Sequence, residues 1–281
     1  VMLIDNYYMG WMIAIFTFLF FLWQTPALAS WRQRGVIFLR YLSSSLLAAG
    51  ISAVILLPTF YALMQSKGTY TETKIHSRFE YFAPKMLGKL VPGSFNFNQM
   101  PSGQPNIYIG MLLMLGACLY FFNNRFDLRR RLIGAAISIF FIFSFCYEPL
   151  DLLWHAGQFP VWYPYRFSYL FSFWCIYLAA KVLQPDFKIK KRSAMILTLL
   201  IIAVYWYVGT LNLSYINSNQ RNIGLCFALI AVSCLCIPRT NSPRLYDALL
   251  VLLAVCDISM SGYTALNKIS YVSPPEFGND T

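Results

Sequence analysis

Long apolar runs, separated by short polar segments, follow one another along this chain. A helix needs about 20 apolar residues to cross the hydrocarbon core of a bilayer. The strands of a membrane β-barrel would alternate apolar and polar residues, whereas these runs are continuous. The pattern therefore predicts an all-α fold, a polytopic integral membrane helical bundle with about eight transmembrane helices. The predicted spans are Tyr7–Gln24, Val36–Met64, Asn106–Phe122, Leu132–Glu148, Arg166–Leu183, Ser193–Thr210, Asn222–Ile237 and Leu245–Gly262.

Composition supports a membrane protein, and the positions of the charges indicate its orientation. Hydrophobic residues make up 58% of the chain and charged residues 12%, against roughly 25% charged in soluble domains. Basic residues concentrate in alternate short segments at span ends, which the positive-inside rule places in the cytoplasm. The net charge of +11 therefore indicates topology and contact with membrane lipids, not a nucleic-acid partner. The basic segments are 31–40, 123–131, 184–192 and 238–244.

We expect residues 1–281 to form a single transmembrane domain with two large outward loops, 65–105 and 149–165. The chain begins inside an apolar stretch, so we expect it to be the C-terminal part of a larger protein that has earlier spans. The first loop contains apolar residues at helical spacing, with Lys85 and Lys89 on another face. This spacing predicts a short amphipathic helix in the outer membrane interface, the alternative being an ordinary surface helix.

The second outward loop combines aromatic rings with one arginine at the mouth of an apolar run. Arg166 is costly there unless it reaches the interface, binds an anion, or pairs with a carboxylate such as Asp151 or Glu148. Amphipathic aromatic rings are typical of a membrane–water boundary. We therefore interpret this loop as an ordered binding site. Its aromatic residues are Trp154, Trp162, Tyr163 and Tyr165.

Other polar residues point to no cofactor with certainty. All seven cysteines fall in apolar runs without zinc or redox spacing. His76 and His155 are single and lie in different loops, so no metal site is predicted. The chain also has no Gly-rich phosphate loop, which argues against ATP-driven transport. Asp257, inside the last predicted span, favours a helix–helix hydrogen bond over a proton relay.

Four short motifs together resemble the YfhO-like bacterial membrane proteins. They are Asn6–Gly10, Leu57–Pro58, Pro105–Gly110 and Tyr163–Ser168, and they keep their order over nearly the whole chain. The resemblance implies a GT-C type membrane glycosyltransferase of the bacterial plasma membrane. Such an enzyme takes a sugar from a polyprenyl-phosphate carrier and attaches it to a cell-envelope polymer, such as lipoteichoic or wall teichoic acid. The aspartate that such enzymes carry in their first outward loop would precede Val1, so the catalytic residue is unknown.

This function predicts a substrate site in the outward loops. Arg166 offers a planar cation that can bind phosphate in a bidentate way, the aromatic residues offer stacking faces, and amides can bind sugar hydroxyls. Two alternatives stay open: a lipid or solute transporter or flippase without chemistry, and a purely structural membrane subunit. The predicted substrate-binding residues are Arg166, Tyr163, Tyr165, Trp162, Trp154, Asp151, Asn106 and Asn6.

Overall fold

The computed structural model describes residues 2–25, 30–66, 75–160, 162–184, 187, 189–237 and 243–269. Regular structure within these ranges is helical, which confirms the all-α prediction. One helix, η1, is of the 3-10 type. The helices are α1 Met2–Asp5, α2 Tyr7–Gln24, α3 Trp31–Ser66, η1 Ala83–Leu90, α4 Gln99–Ser102, α5 Met111–Phe122, α6 Leu128–Ser144, α7 Glu148–Trp154, α8 Ser168–Val182, α9 Lys191–Thr210, α10 Ser218–Cys236 and α11 Pro243–Leu266.

Five of these helices, α2, α3, α9, α10 and α11, are long and apolar enough to cross a membrane. Two shorter apolar helices, α5 and α8, fall within predicted spans, as does most of α6. The multi-pass membrane architecture is therefore confirmed, whereas the number eight stays a prediction. Two predicted spans begin later than expected. The first turn expected for α5 is extended chain up to Gly110, and α8 begins at Ser168 and not at Arg166.

The chain divides into two compact units. Unit 1 comprises the described residues of Val1–Tyr81 and Asn123–Val161, with helices α1, α2, α3, α6 and α7. Its centre is aromatic: Trp154 stacks on Phe141 with ring centroids 5.1 Å apart. The indole N–H of Trp23 donates to the Arg130 carbonyl at 3.1 Å, which joins α2 to α6. The prediction of one domain stays a prediction, because one transmembrane domain can contain two such units.

Unit 2 comprises the described residues of Phe82–Phe122 and Trp162–Thr281. Small residues permit close packing of α5 on α8, because a Cβ added to Gly116 of α5 would lie 3.0 Å from the Cβ of Ala179 in α8. Small residues at helix interfaces are typical of membrane bundles. A Cβ at Gly224 would approach Pro92 to 2.5 Å. The segment after η1 therefore lies directly on α10.

The loop helix η1 differs from its prediction in one important respect. Lys85 is exposed as predicted, but Lys89 has a relative exposure of 1% and lies under the loop. The Lys89 ammonium is drawn inward because it donates to the Ser94 carbonyl at 2.8 Å and to Asn106 Oδ1 at 3.1 Å. Placement of η1 in the membrane interface stays a prediction.

The predicted orientation can be tested within unit 1, because α6 separates the two sites. A cysteine in place of Gln158, in the predicted outward loop, is expected to react with an impermeant thiol reagent in intact cells. A cysteine in place of Arg129, at the other end of α6, is expected to react only after the cells are opened. Both positions are exposed, and the unmodified chain, with its seven native cysteines, gives the background. Labelling of position 129 from outside would reverse the assigned orientation.

Candidate functional site

Helix α7 begins against a segment of loop 65–105, which is predicted to face outward. Phe79 and Tyr147 form an antiparallel bridge, and the Glu80 amide donates to the Cys146 carbonyl at 2.9 Å. The Glu148 amide donates to the Arg78 carbonyl at 3.2 Å. The loop residues before Phe82 and the start of α7 therefore form one local structure within unit 1.

Glu148 anchors that structure through its side chain. Its buried carboxylate accepts the His76 backbone N–H at 2.7 Å and the Arg78 Nε–H at 2.6 Å, one on each oxygen. Desolvation raises the pKa of Glu148, but the His76 and Arg78 hydrogen bonds and charges outweigh it, so the net pKa lies below its usual range. The ionised Glu148 is thus a loop anchor with both oxygens engaged.

Asp151, one turn further along α7, has the opposite electrostatic character. Its relative exposure is 2%, and within the described part of the chain its Oδ1 atom has no hydrogen-bond partner. Burial raises the pKa of Asp151 to about 9, and the nearby charges of Glu80 and Glu148 act in the same direction. The Oδ2 atom lies 3.5 Å from His155 Nδ1. The raised pKa of Asp151 therefore favours its protonated, neutral form at pH 7.

A cavity of about 710 Å³ lies in unit 1 between α1, α2, α3 and α7. Volumes of this size are typical of small-molecule sites. The walls are largely apolar, and the Trp11 indole N–H donates to the Leu153 carbonyl at 2.9 Å, which fixes α2 against α7. His155 and Gln158 bring polar atoms to the lining. Lining residues include Tyr7, Tyr8, Trp11, Leu57, Thr59, Phe60, Leu152, Leu153, His155 and Gln158.

Three predicted substrate-binding residues belong to unit 1, and each has an internal contact. Asn6 is exposed, and its Oδ1 accepts the Met9 N–H at 3.1 Å as the N-cap of α2. Trp154 is fully buried, with its ring on Phe141. Asp151 is buried beside His155. The structure therefore places a capping amide, a core ring and a neutral acid at these positions, and their substrate contacts stay predictions.

Four more predicted residues form one turn of unit 2 before α8. Tyr163 has a φ of +53°, and its amide donates to the Met100 carbonyl at 2.7 Å. Arg166 donates from Nε and Nη2 to the Trp162 carbonyl at 3.3 and 3.0 Å. Trp162, Tyr163 and Arg166 are exposed, whereas Tyr165 is buried. The turn thus exposes two aromatic side chains and a guanidinium.

The remaining predicted residue, Asn106, belongs to a buried lysine cluster that sequence reasoning missed. Lys89 donates to Asn106 Oδ1, and its ammonium lies 4.8 Å from the centroid of the Tyr215 ring. Lys268 donates to the Tyr215 carbonyl and to Gln220 Oε1, each at 2.7 Å. Burial, followed by the charge of Lys268, lowers the pKa of Lys89 to about 7. These contacts join the outward loop to α10 and the end of α11.

Asp257 of α11 fixes the chain just before α5. Its buried carboxylate accepts the Tyr108 hydroxyl and the Met111 N–H, the latter at 2.6 Å. Gly110 has a φ of +87°, which lets the chain turn into α5 beside that carboxylate. The geometry supports the helix-contact interpretation of Asp257. It also explains why the expected first turn of this span is not helical.

A family model described as "Bacterial membrane protein YfhO" matches residues 1–281. No curated protein and no solved structure gives a significant match. Within the described ranges, no group of three or more histidine, cysteine, aspartate and glutamate side chains is placed to hold a metal ion.

Proposed function

We propose, because the chain belongs to the YfhO family of bacterial membrane proteins, that it is part of a membrane glycosyltransferase. In this proposal the donor is a sugar on a polyprenyl-phosphate carrier. The acceptor is a cell-envelope polymer such as lipoteichoic or wall teichoic acid. The reaction takes place at the outer face of the bacterial plasma membrane.

The observation that carries the proposal is the turn from Trp162 to Arg166. A guanidinium matches phosphate oxygens in a bidentate geometry that lysine lacks, and exposed aromatic rings give the apolar faces against which a sugar can pack. Arg166 is already oriented by the Trp162 carbonyl, and Tyr163 is fixed by Met100. A preorganised site of this kind loses less conformational entropy on binding.

Sugar transfer requires a cation for the leaving phosphate and a base for the proton of the acceptor hydroxyl. An acceptor hydroxyl forms a bond to the anomeric carbon, the bond from that carbon to the phosphate oxygen breaks, and polyprenyl phosphate leaves. Arg166 would stabilise the negative charge on the departing phosphate. The hydroxyl proton must pass to a base, and Asp151 does not suit that role because its raised pKa keeps it protonated near pH 7. The catalytic base is therefore left unassigned.

A lipid transporter or flippase without chemistry is the second candidate function. The apolar cavity of unit 1 supports it, since a transported lipid also needs a hydrocarbon-compatible site. An assay in proteoliposomes distinguishes transfer from transport. The proteoliposomes contain the full-length protein, a radiolabelled polyprenyl-phosphate sugar and the polymer acceptor. Label on the polymer supports transfer, whereas label that crosses the bilayer and stays on the carrier supports transport.

Arg166→Lys tests the donor site directly. Hydrogen bonds to charged groups are worth about 1.5–3 kcal/mol, so the loss of one or two should weaken binding of the polyprenyl-phosphate sugar by roughly tenfold or more. The matched control is Arg129→Lys, at an exposed position of unit 1, which is expected to leave binding unchanged. If Arg166→Lys binds the donor like the parent and only lowers the unfolding temperature, Arg166 is a structural residue and the site lies elsewhere.

A further inference from the structure

The apolar cavity of unit 1 is unfavourable both when it is empty and when it is filled with water. It has a volume of about 710 Å³, and an apolar cavity gives water few hydrogen-bond partners, so water fills it poorly. An empty space of this size would forfeit the dispersion contacts of its lining atoms. A ligand of hydrocarbon character would displace the poorly bound water and would restore the dispersion contacts of the lining atoms.

The position of the cavity indicates where that ligand comes from. One wall is the part of α3 that contains Leu57, Thr59 and Phe60, and α3 is long and apolar enough to cross a membrane. Leu57 and Phe60 line the cavity and have exposed fractions of 67% and 63%. The cavity wall therefore belongs to a helix whose apolar surface would meet lipid in a membrane, where lipid chains are the most concentrated hydrocarbon.

The lining also indicates which part of a lipid binds. The described lining contains no lysine or arginine, and its polar side chains are neutral groups such as Thr59 and Gln158 or the imidazole of His155. A pocket for a phosphate head group would place cations against it. The cavity suits a chain whose head group stays outside.

We propose that this cavity binds one acyl chain of a bilayer phospholipid, as a built-in lipid site of unit 1. The chain packs against Trp11, Leu57 and Leu153 and takes the place of water that the apolar walls cannot hold. The site does not depend on glycosyl transfer, and it would be occupied equally in an enzyme or a transporter.

The test uses the full-length protein in proteoliposomes that contain a phospholipid with a photoreactive diazirine in its acyl chain. Labelling is read at single residues, because Leu152 and His155 line the cavity and are buried, whereas Leu153 between them is exposed to surrounding lipid. Thr59→Trp fills the cavity. The matched control, Val54→Trp, adds the same ring to a β-branched position of α3 whose side chain is exposed.

We expect Leu152 and His155 to be labelled in the parent and in Val54→Trp, and their labelling to fall at least fivefold in Thr59→Trp. Thr59→Trp should also remain folded and lose the rise in unfolding temperature that added phosphatidylcholine gives the delipidated parent. Equal labelling of Leu152 and His155 in all three proteins, or none in the parent, would overturn the proposal. So would complete displacement of the label by an equimolar amount of polyprenyl phosphate, because the cavity would then belong to the carrier lipid.

Discussion

Asp257→Ala is expected to destabilise unit 2 by about 2–6 kcal/mol, because two buried hydrogen-bond donors lose their acceptor at about 1–3 kcal/mol each. The donors are the Tyr108 hydroxyl and the Met111 amide, and both would be left without their acceptor. The effect should be large because one carboxylate holds the extended chain before α5 and the first turn of α5 together. Thermal unfolding of the purified protein in detergent measures it.

A double-mutant cycle separates this contact from general damage to α11. Tyr108→Phe removes one donor, and Asp257→Asn replaces one carboxyl oxygen by an amide nitrogen in a side chain of similar size. If the two groups interact directly, the combined loss should fall short of the sum by roughly 0.5–3 kcal/mol. Ser259→Ala, at an exposed position of the same helix, is the control. Strict additivity in this cycle would show that Asp257 acts through some other partner.

The helices could be predicted from the sequence because their signal is local. Each apolar run must satisfy its own backbone hydrogen bonds in lipid, and a helix does so within the run. The predicted boundaries Tyr7–Gln24 agree with α2, where Asn6 caps the first turn. The start of α5 could not be predicted in this way. Residues 106–110 are apolar enough to continue the predicted span. They are extended because Asp257, far along the chain, accepts hydrogen bonds from Tyr108 and from the Met111 amide.

The candidate site was predictable only in part, for the same reason. Exposure of Arg166 and Trp162 follows from a polar, proline-rich turn before an apolar helix. The burial of Lys89 does not, because its acceptors are a backbone carbonyl and an amide set by the loop fold. Glu148 and Asp151 are neighbouring acids with no sequence feature that separates them. The loop residues His76 and Arg78 bind Glu148 and lower its pKa, whereas burial raises the pKa of Asp151.

Because Glu148 and Asp151 have pKa values shifted in opposite directions, each makes the folding stability depend on pH with a definite sign. Burial raises the pKa of Asp151 from 3.8 to about 9 in the folded chain. The folded state therefore keeps a proton that the unfolded state releases, and stability falls as pH rises between these values. The contribution of Asp151 is fully present below pH 4 and is lost as pH rises toward 9. Glu148, with its lowered pKa, contributes in the opposite direction and loses its contribution as pH falls.

Asp151→Asn is therefore expected to flatten the alkaline side of the stability profile, since an amide of the same shape stays neutral at every pH. At pH 9 the variant should exceed the parent by at least about 1 kcal/mol, or roughly 2–4 °C in unfolding temperature, and at pH 4 the two should agree. Asp127→Asn, at an exposed position of unit 1, is the matched control and should follow the parent. If the Asp151→Asn profile runs parallel to that of the parent from pH 5 to 9, Asp151 is ionised in the folded chain. It would then return as a candidate for the base that the proposed sugar transfer requires.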